Sequence, residues 1–139
     1  MSGALKISDF HNCTMNQKKF SLKSRIASFR FALNGLASLF KVEHNSRIHL
    51  LAAIFAIVMG VFMKLDHYEW SLLAIVIGLV FLTELLNSSL ESLADIIDPE
   101  WNEIIMKAKD YAAAAVLISA IIAIIVGGLI FIPKIVALL

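Results

Sequence analysis

One stretch concentrates the residue types that do chemistry: Glu84, Asn87, Glu91 and Asp95, separated by three, four and four positions. On a helix those intervals bring all four to one face, with Leu85, Leu86, Leu90 and Leu93 covering the rest. Glu84 follows a long apolar run and is expected at the edge of a membrane. An ionisable group there is costly to keep and marks a functional site by default, and a carboxylate so placed can accept a proton from a hydroxyl. Glu91, about two turns nearer to water, is better placed to meet a hydrated cation. A further carboxylate, Glu43, precedes the first apolar run. Glu43 and Glu91 suit one hard divalent cation, since magnesium is usually held by one or two carboxylates plus nucleotide phosphates. Lys107, Lys109 and Asp110 form a third cluster, whose lysines can meet phosphate as point charges.

These groups need elements to hold them. The chain has 139 residues, 60% of them hydrophobic, with a mean hydropathy of +0.85, well above an ordinary soluble domain. Three apolar runs, at about 48–63, 70–86 and 111–132, are read as membrane spans. The first is short for a span of ~20 residues, and Arg47 and Lys64 at its ends extend its reach by snorkelling. Before it, Ile26, Phe29, Leu33, Leu36 and Phe40 recur at helical steps among Lys23, Arg25, Arg30 and Lys41. Residues 21–44 are therefore expected to form an amphipathic helix on an anionic membrane surface. Residues 1–20 read as a polar tail. Small residues at Ala52, Ala56 and Gly60, at Ala112–Ala115 and at Gly127-Gly128 are expected to let helices approach closely. Pro99 marks a break or a helix start, and Pro133 the end of the third span.

Charge sets the orientation. Ten of the twelve Lys and Arg lie before the first span or between the second and third. The positive-inside rule then puts the amino terminus and the 88–110 segment in the cytoplasm. The first 25 residues lack the apolar core of a cleavable signal peptide, so the first span is expected to act as its own insertion signal. A net charge of +1 argues against nucleic acid as a partner. Cys13 is the only cysteine, which excludes an intrachain disulfide and a cysteine-based metal site. His11, His44, His49 and His67 read as solvated or interfacial. A Gly-rich phosphate loop of the Walker type is absent from the sequence.

Taken singly, Glu84 reads equally well as an interfacial anchor, Asn87 as interhelical glue and the two lysines as topology signals. Pooled on one membrane face, they read as a site where a cytosolic nucleotide meets a lipid headgroup. Three other classes stay open. A non-enzymatic subunit anchoring a larger complex would tolerate Gln at 84 and 91. An ion pathway wants ionisable groups in mid-span, and the spans have none there. A lipid-phosphate phosphatase wants a histidine or basic phosphate cage.

The run Glu84-x-x-Asn87-Ser88-x-x-Glu91-x-x-x-Asp95 resembles the signature of the prokaryotic diacylglycerol kinase family, which includes undecaprenol kinases. The similarity covers nearly everything from residue 25 to 133. It is supported by Ala32-Leu33-Asn34-Gly35-Leu36, by Glu43 with Arg47-Ile48-His49, by Pro99-Glu100-Trp101 and by Ala108-Lys109-Asp110. The resemblance implies an all-α membrane protein with three spans and a surface helix, assembled as a homotrimer with active sites between subunits. It implies direct transfer of the ATP γ-phosphate to a lipid hydroxyl with Mg2+, on the cytoplasmic side of the bacterial cell membrane, in phospholipid or cell-envelope lipid recycling. Carried over, Glu84 would be the general base, and Glu43 and Glu91 the magnesium ligands. Asn87, Asp95, Lys109 and Asp110 would support the site, with Glu100 and Glu103 near the nucleotide. Arg47-Ile48-His49 is similar to the undecaprenol kinase branch, although Ser46 stands where that branch tends to carry an aromatic residue. The lipid alcohol is thus expected to be diacylglycerol or undecaprenol.

Overall fold

The computed structural model describes residues 22–97 and 102–138; the polar tail and Pro99-Glu100-Trp101 lie outside them. Helices α1 (Leu22–Val42), α2 (His44–Phe62), α3 (His67–Ile97) and α4 (Glu103–Val136) make up nearly all of it, without a strand among the described residues. The all-α fold with three helices long and apolar enough to cross a membrane is the one the hydropathy predicts. The chain divides into two units, residues 1–33 and 34–139. The first, described from residue 22, is helical. The second holds the last turns of α1 and the three long helices.

The turn from α1 into α2 is a single residue. Glu43 has an extended backbone (φ −86°, ψ 120°), while its N–H still bonds Leu39 O at 2.9 Å. Helix ends leave carbonyls without partners, and here a cation meets them: Arg47 Nε donates to Phe40 O at 2.9 Å and Nη2 to Lys41 O. The guanidinium thereby holds the first turn of α2 against the last turn of α1. Phe40 also meets Phe81 of α3 edge-to-face, with ring centroids 5.6 Å apart.

At its other end α2 stops in a Schellman motif. Leu65 N–H bonds Gly60 O at 3.1 Å and Lys64 N–H bonds Val61 O at 3.2 Å. Lys64 takes the left-handed backbone that this motif demands (φ 52°), a position usually filled by glycine. Asp66 then starts α3 through a capping box. Its Oδ1 accepts from Tyr68 N at 2.8 Å and Glu69 N at 2.9 Å, and Glu69 Oε2 accepts from Asp66 N at 2.8 Å. The same Glu69 oxygen lies 2.9 Å from Lys134 Nζ, which ties α4 to this end. Leu65, Leu73, Val76 and Ile130 form the core beneath, with Trp70 and Ala56 packed on it. Gly60 belongs there because a Cβ would come within 2.9 Å of Leu65 and 3.0 Å of the Trp70 ring.

Both long helices outrun their apolar stretches. The 31 residues of α3 reach ~46 Å at ~1.5 Å per residue, against a hydrocarbon core of ~30 Å. The acidic segment through Ile97 therefore continues the second span as one rigid helix. Similarly, α4 begins at Glu103, eight residues ahead of the apolar run, where Asn102 Oδ1 caps Ile104 N at 3.0 Å. It also continues through Pro133 to Val136, beyond the expected stop. Proline removes the N–H that would bond the carbonyl four residues back and its ring crowds that carbonyl, yet the last turn continues past it. Thr83 and Ser119, 2.8 Å apart, join α3 and α4 by a part-buried hydroxyl pair. Other expected contacts are not made within one chain: Cβ atoms at Gly127 would meet open space, Gly128 touches only Ile132 of its own helix, and Ala113–Ala115 are exposed. Only 11% of the most apolar window of α4 is buried, so most of its surface is left for lipid or other subunits.

Two outcomes follow at the α2–α3 turn. Lys64→Gly relieves the left-handed backbone and is expected to stabilise the protein by about 1 kcal/mol, read as a higher thermal midpoint in detergent. The backbone N–H of Glu69, with smaller help from Tyr68 and the Lys134 charge, holds the Asp66 carboxyl below its ordinary value. Its stabilising share is full above the ordinary aspartate range and disappears as pH falls through the lowered value. Asp66→Asn should therefore lower the thermal midpoint at neutral pH and approach wild type under strong acid.

Candidate active site

Glu84 is carried inward by the packing of its own helix. Leu73, Val76, Val80 and Glu84 are the buried residues along this stretch of α3, spaced three, four and four. The stripe that packs the span thus ends in a carboxylate only 3% exposed. Two side chains of α2 meet it. Ser46, itself fully buried, donates its hydroxyl to Oε2 at 3.1 Å. His49 Nε2 lies 3.2 Å from Oε1, at ion-pair distance and without a hydrogen bond to it. One oxygen accepts a hydrogen bond and the other faces the imidazole.

One turn further along α3, Asn87 Nδ2 donates to Glu91 Oε1 at 2.9 Å, while Asn87 Oδ1 is buried without a partner. Another turn on, Asp95 Oδ1 receives Lys109 Nζ at 3.0 Å, bridging α3 to α4. The expected face is thus present on one helix, and Lys109 joins it. Glu43 opens elsewhere, on a groove of about 240 Å³ that it lines with Ser38, Ser88, Ser89 and Ser92. Ser88 Oγ is buried there without a partner. Glu103 pairs with Lys107 one turn along α4 at 2.8 Å, both well exposed, and Asp110 is exposed. Glu100 lies outside the described residues.

Two site residues escape the sequence reading. His49, read as solvated or interfacial, is instead within ion-pair distance of the buried carboxylate. Ser46, noted only as a departure from a pattern, is the donor to it. Their signal was faint: two polar residues three apart at the start of an apolar helix, facing one way. An apolar groove of about 340 Å³ begins at His49 and runs past Ala52, Ala56, Val76 and Ala123.

Whether the donor set suits magnesium can be judged from the atoms present. Hard cations take oxygen ligands, and Glu91 together with the orphaned Asn87 Oδ1 offers a carboxylate and a carbonyl side by side. Among the described residues, three or more Asp, Glu, His or Cys side chains nowhere come together to hold a metal on protein ligands alone.

Comparison with known proteins places the chain in a family. The profile of the prokaryotic diacylglycerol kinase family matches residues 30–131. A diacylglycerol kinase of Synechocystis is 36% identical over 82% of this chain and 66% of its own length. The undecaprenol kinase of Bacillus subtilis is 36% identical over 77% of this chain and 87% of its own. A diacylglycerol kinase of Escherichia coli is 34% identical over 68% and 78%. The reading as a non-enzymatic subunit finds no support among these relatives. The match covers nearly three quarters of the chain, including all three membrane helices and the carboxylate face, and so the chain belongs to the prokaryotic diacylglycerol kinase family of membrane lipid kinases.

Proposed function

We propose that this protein transfers the γ-phosphate of ATP to the hydroxyl of diacylglycerol or undecaprenol at the cytoplasmic face of a bacterial cell membrane, with Mg2+ and as a homotrimer. The observation that carries the reading is Glu84, a carboxylate buried at the end of an apolar stretch, with Oε2 held by Ser46 and Oε1 facing His49 without a hydrogen bond. In the reaction the lipid O–H breaks and its proton passes to Glu84 Oε1. The lipid oxygen bonds the γ-phosphorus as the bond to ADP breaks. Little covalent chemistry falls to the protein in such a transfer, which rests on positioning and charge stabilisation.

Glu91, Asn87 and Glu43 would hold magnesium, which supplies neutralisation of the phosphate charge when bound. Lys109, oriented by Asp95, meets a phosphate as a point charge; Asp110, Glu103 and Glu100 complete the nucleotide side. The apolar groove beginning at His49 has the chemistry of a lipid chain's surroundings. Trimer formation is supported by the sparse self-burial of the membrane helices. The amphipathic sequence of α1 suits a membrane surface. Lys and Arg distribution supports the cytoplasmic orientation.

The test is transfer of labelled phosphate in mixed micelles with magnesium, offering diacylglycerol and undecaprenol in parallel. One labelled lipid, and its loss by about 10²–10⁴-fold in Glu84→Gln, is the expected result. A folded wild-type protein that labels neither lipid, or a Glu84→Gln variant as active as wild type, overturns it. In the same assay Lys109→Ala is expected to raise the KM for ATP about tenfold or more, as loss of a charged contact of about 1.5–3 kcal/mol would do.

A further inference from the structure

Hydroxyls on membrane helices usually spend their proton on their own backbone, four residues back. Ser71, Thr83, Ser89 and Ser92 of α3 all do so, bonding His67 O, Leu79 O, Leu85 O and Ser88 O. Ser46 does not. It sits in the first turn of α2, and the residue four back, Val42, belongs to α1 across the break at Glu43. The residue four back thus lies outside Ser46's own helix, and its hydroxyl reaches across to Glu84 Oε2 at 3.1 Å. The turn that carries Ser46 is itself held by the neighbouring Arg47, through Phe40 O and Lys41 O.

We propose that Ser46 is a positioning residue for phosphoryl transfer: its hydroxyl commits Glu84 Oε2, sets the plane of the carboxylate and leaves Oε1 as the atom that takes the lipid proton. A carboxylate with two equivalent free oxygens in a buried site can rotate about its last torsion, which is soft. One donor fixed on another helix removes that freedom. Ser46 touches neither lipid nor nucleotide in this arrangement; it acts through Glu84. The inference rests on Glu84 being the proton acceptor, and the Arg47 clamp links it to Glu43, since both lie on the same junction.

The experiment compares wild type, Ser46→Ala, Ser46→Thr and Glu84→Gln in the micelle assay. It adds difference infrared spectra in which the Glu84 carboxylate band is identified by its absence in Glu84→Gln. Ser46→Ala should lower kcat about tenfold, the effect of one hydrogen bond to a charged group, with the KM for ATP unchanged and the carboxylate band shifted. Ser46→Thr, which keeps the hydroxyl, should restore both. An active Glu84→Gln would remove the base itself. An inactive Glu84→Gln with full kcat and an unmoved band in Ser46→Ala would overturn the role of Ser46 alone. Loss of kcat in both Ser46 variants with a raised KM would also overturn it, marking the position as one of packing. Should Ser46→Ala fail to fold, Ser46→Cys supplies the same comparison with a weak donor of nearly the same size.

Discussion

A carboxylate buried at the end of a membrane helix is tolerated only where protein donors replace the water it has lost. That constraint organises the end of the molecule where α1 meets α2. Glu84 is placed inward by the same helical stripe that packs α3, so it needs a donor from a neighbouring helix. The start of α2 supplies what meets it: Ser46 donates to Oε2, and His49 lies 3.2 Å from Oε1. The break at Glu43 is therefore more than a turn. It starts the helix that brings Ser46 and His49 to Glu84, and it also aims a second carboxylate at the groove beside α3.

The opposite end of the molecule supplies the rigidity that such a placement needs. There the Schellman turn, the Asp66 capping box and the Glu69–Lys134 pair bind α2, α3 and α4 together around the Leu65 core. Apolar contact alone gives helices little reason to associate in lipid. Polar pairs such as Thr83–Ser119 and close approach at Gly60 take over that role. The two functions are thus separated along the helices: one end holds the bundle in register, and the other presents reactive groups.

Length completes the arrangement. Because α3 and α4 continue as helices beyond their apolar stretches, Asn87, Glu91, Asp95 and Lys109 stand on stalks that grow directly out of the membrane spans. Their relative positions follow helical geometry instead of loop conformation. The Lys109–Asp95 bridge then closes the stalks upon each other. For a reaction governed by positioning and charge, such preorganisation is what the protein contributes.

The chain's one-dimensional pattern determined whatever depends on local periodicity. Hydropathy and the 3.6-residue repeat located the three spanning helices and put Glu84, Asn87, Glu91 and Asp95 on one face, because neighbours within a helix are set by sequence separation alone. The same signals were blind to partners far apart in sequence. That Ser46 and His49 would meet Glu84, 38 and 35 positions away, depended on how α2 packs on α3. That Asn87 would turn to Glu91, and Lys109 to Asp95 and not to its sequence neighbour Asp110, was settled by rotamers and helix approach. Pro133 likewise looked like a stop, yet the last turn of α4 continues past it. Tertiary structure alone decided which oxygen of the buried carboxylate meets Ser46 and which meets His49, because that choice belongs to the contact between two helices and to neither of them by itself.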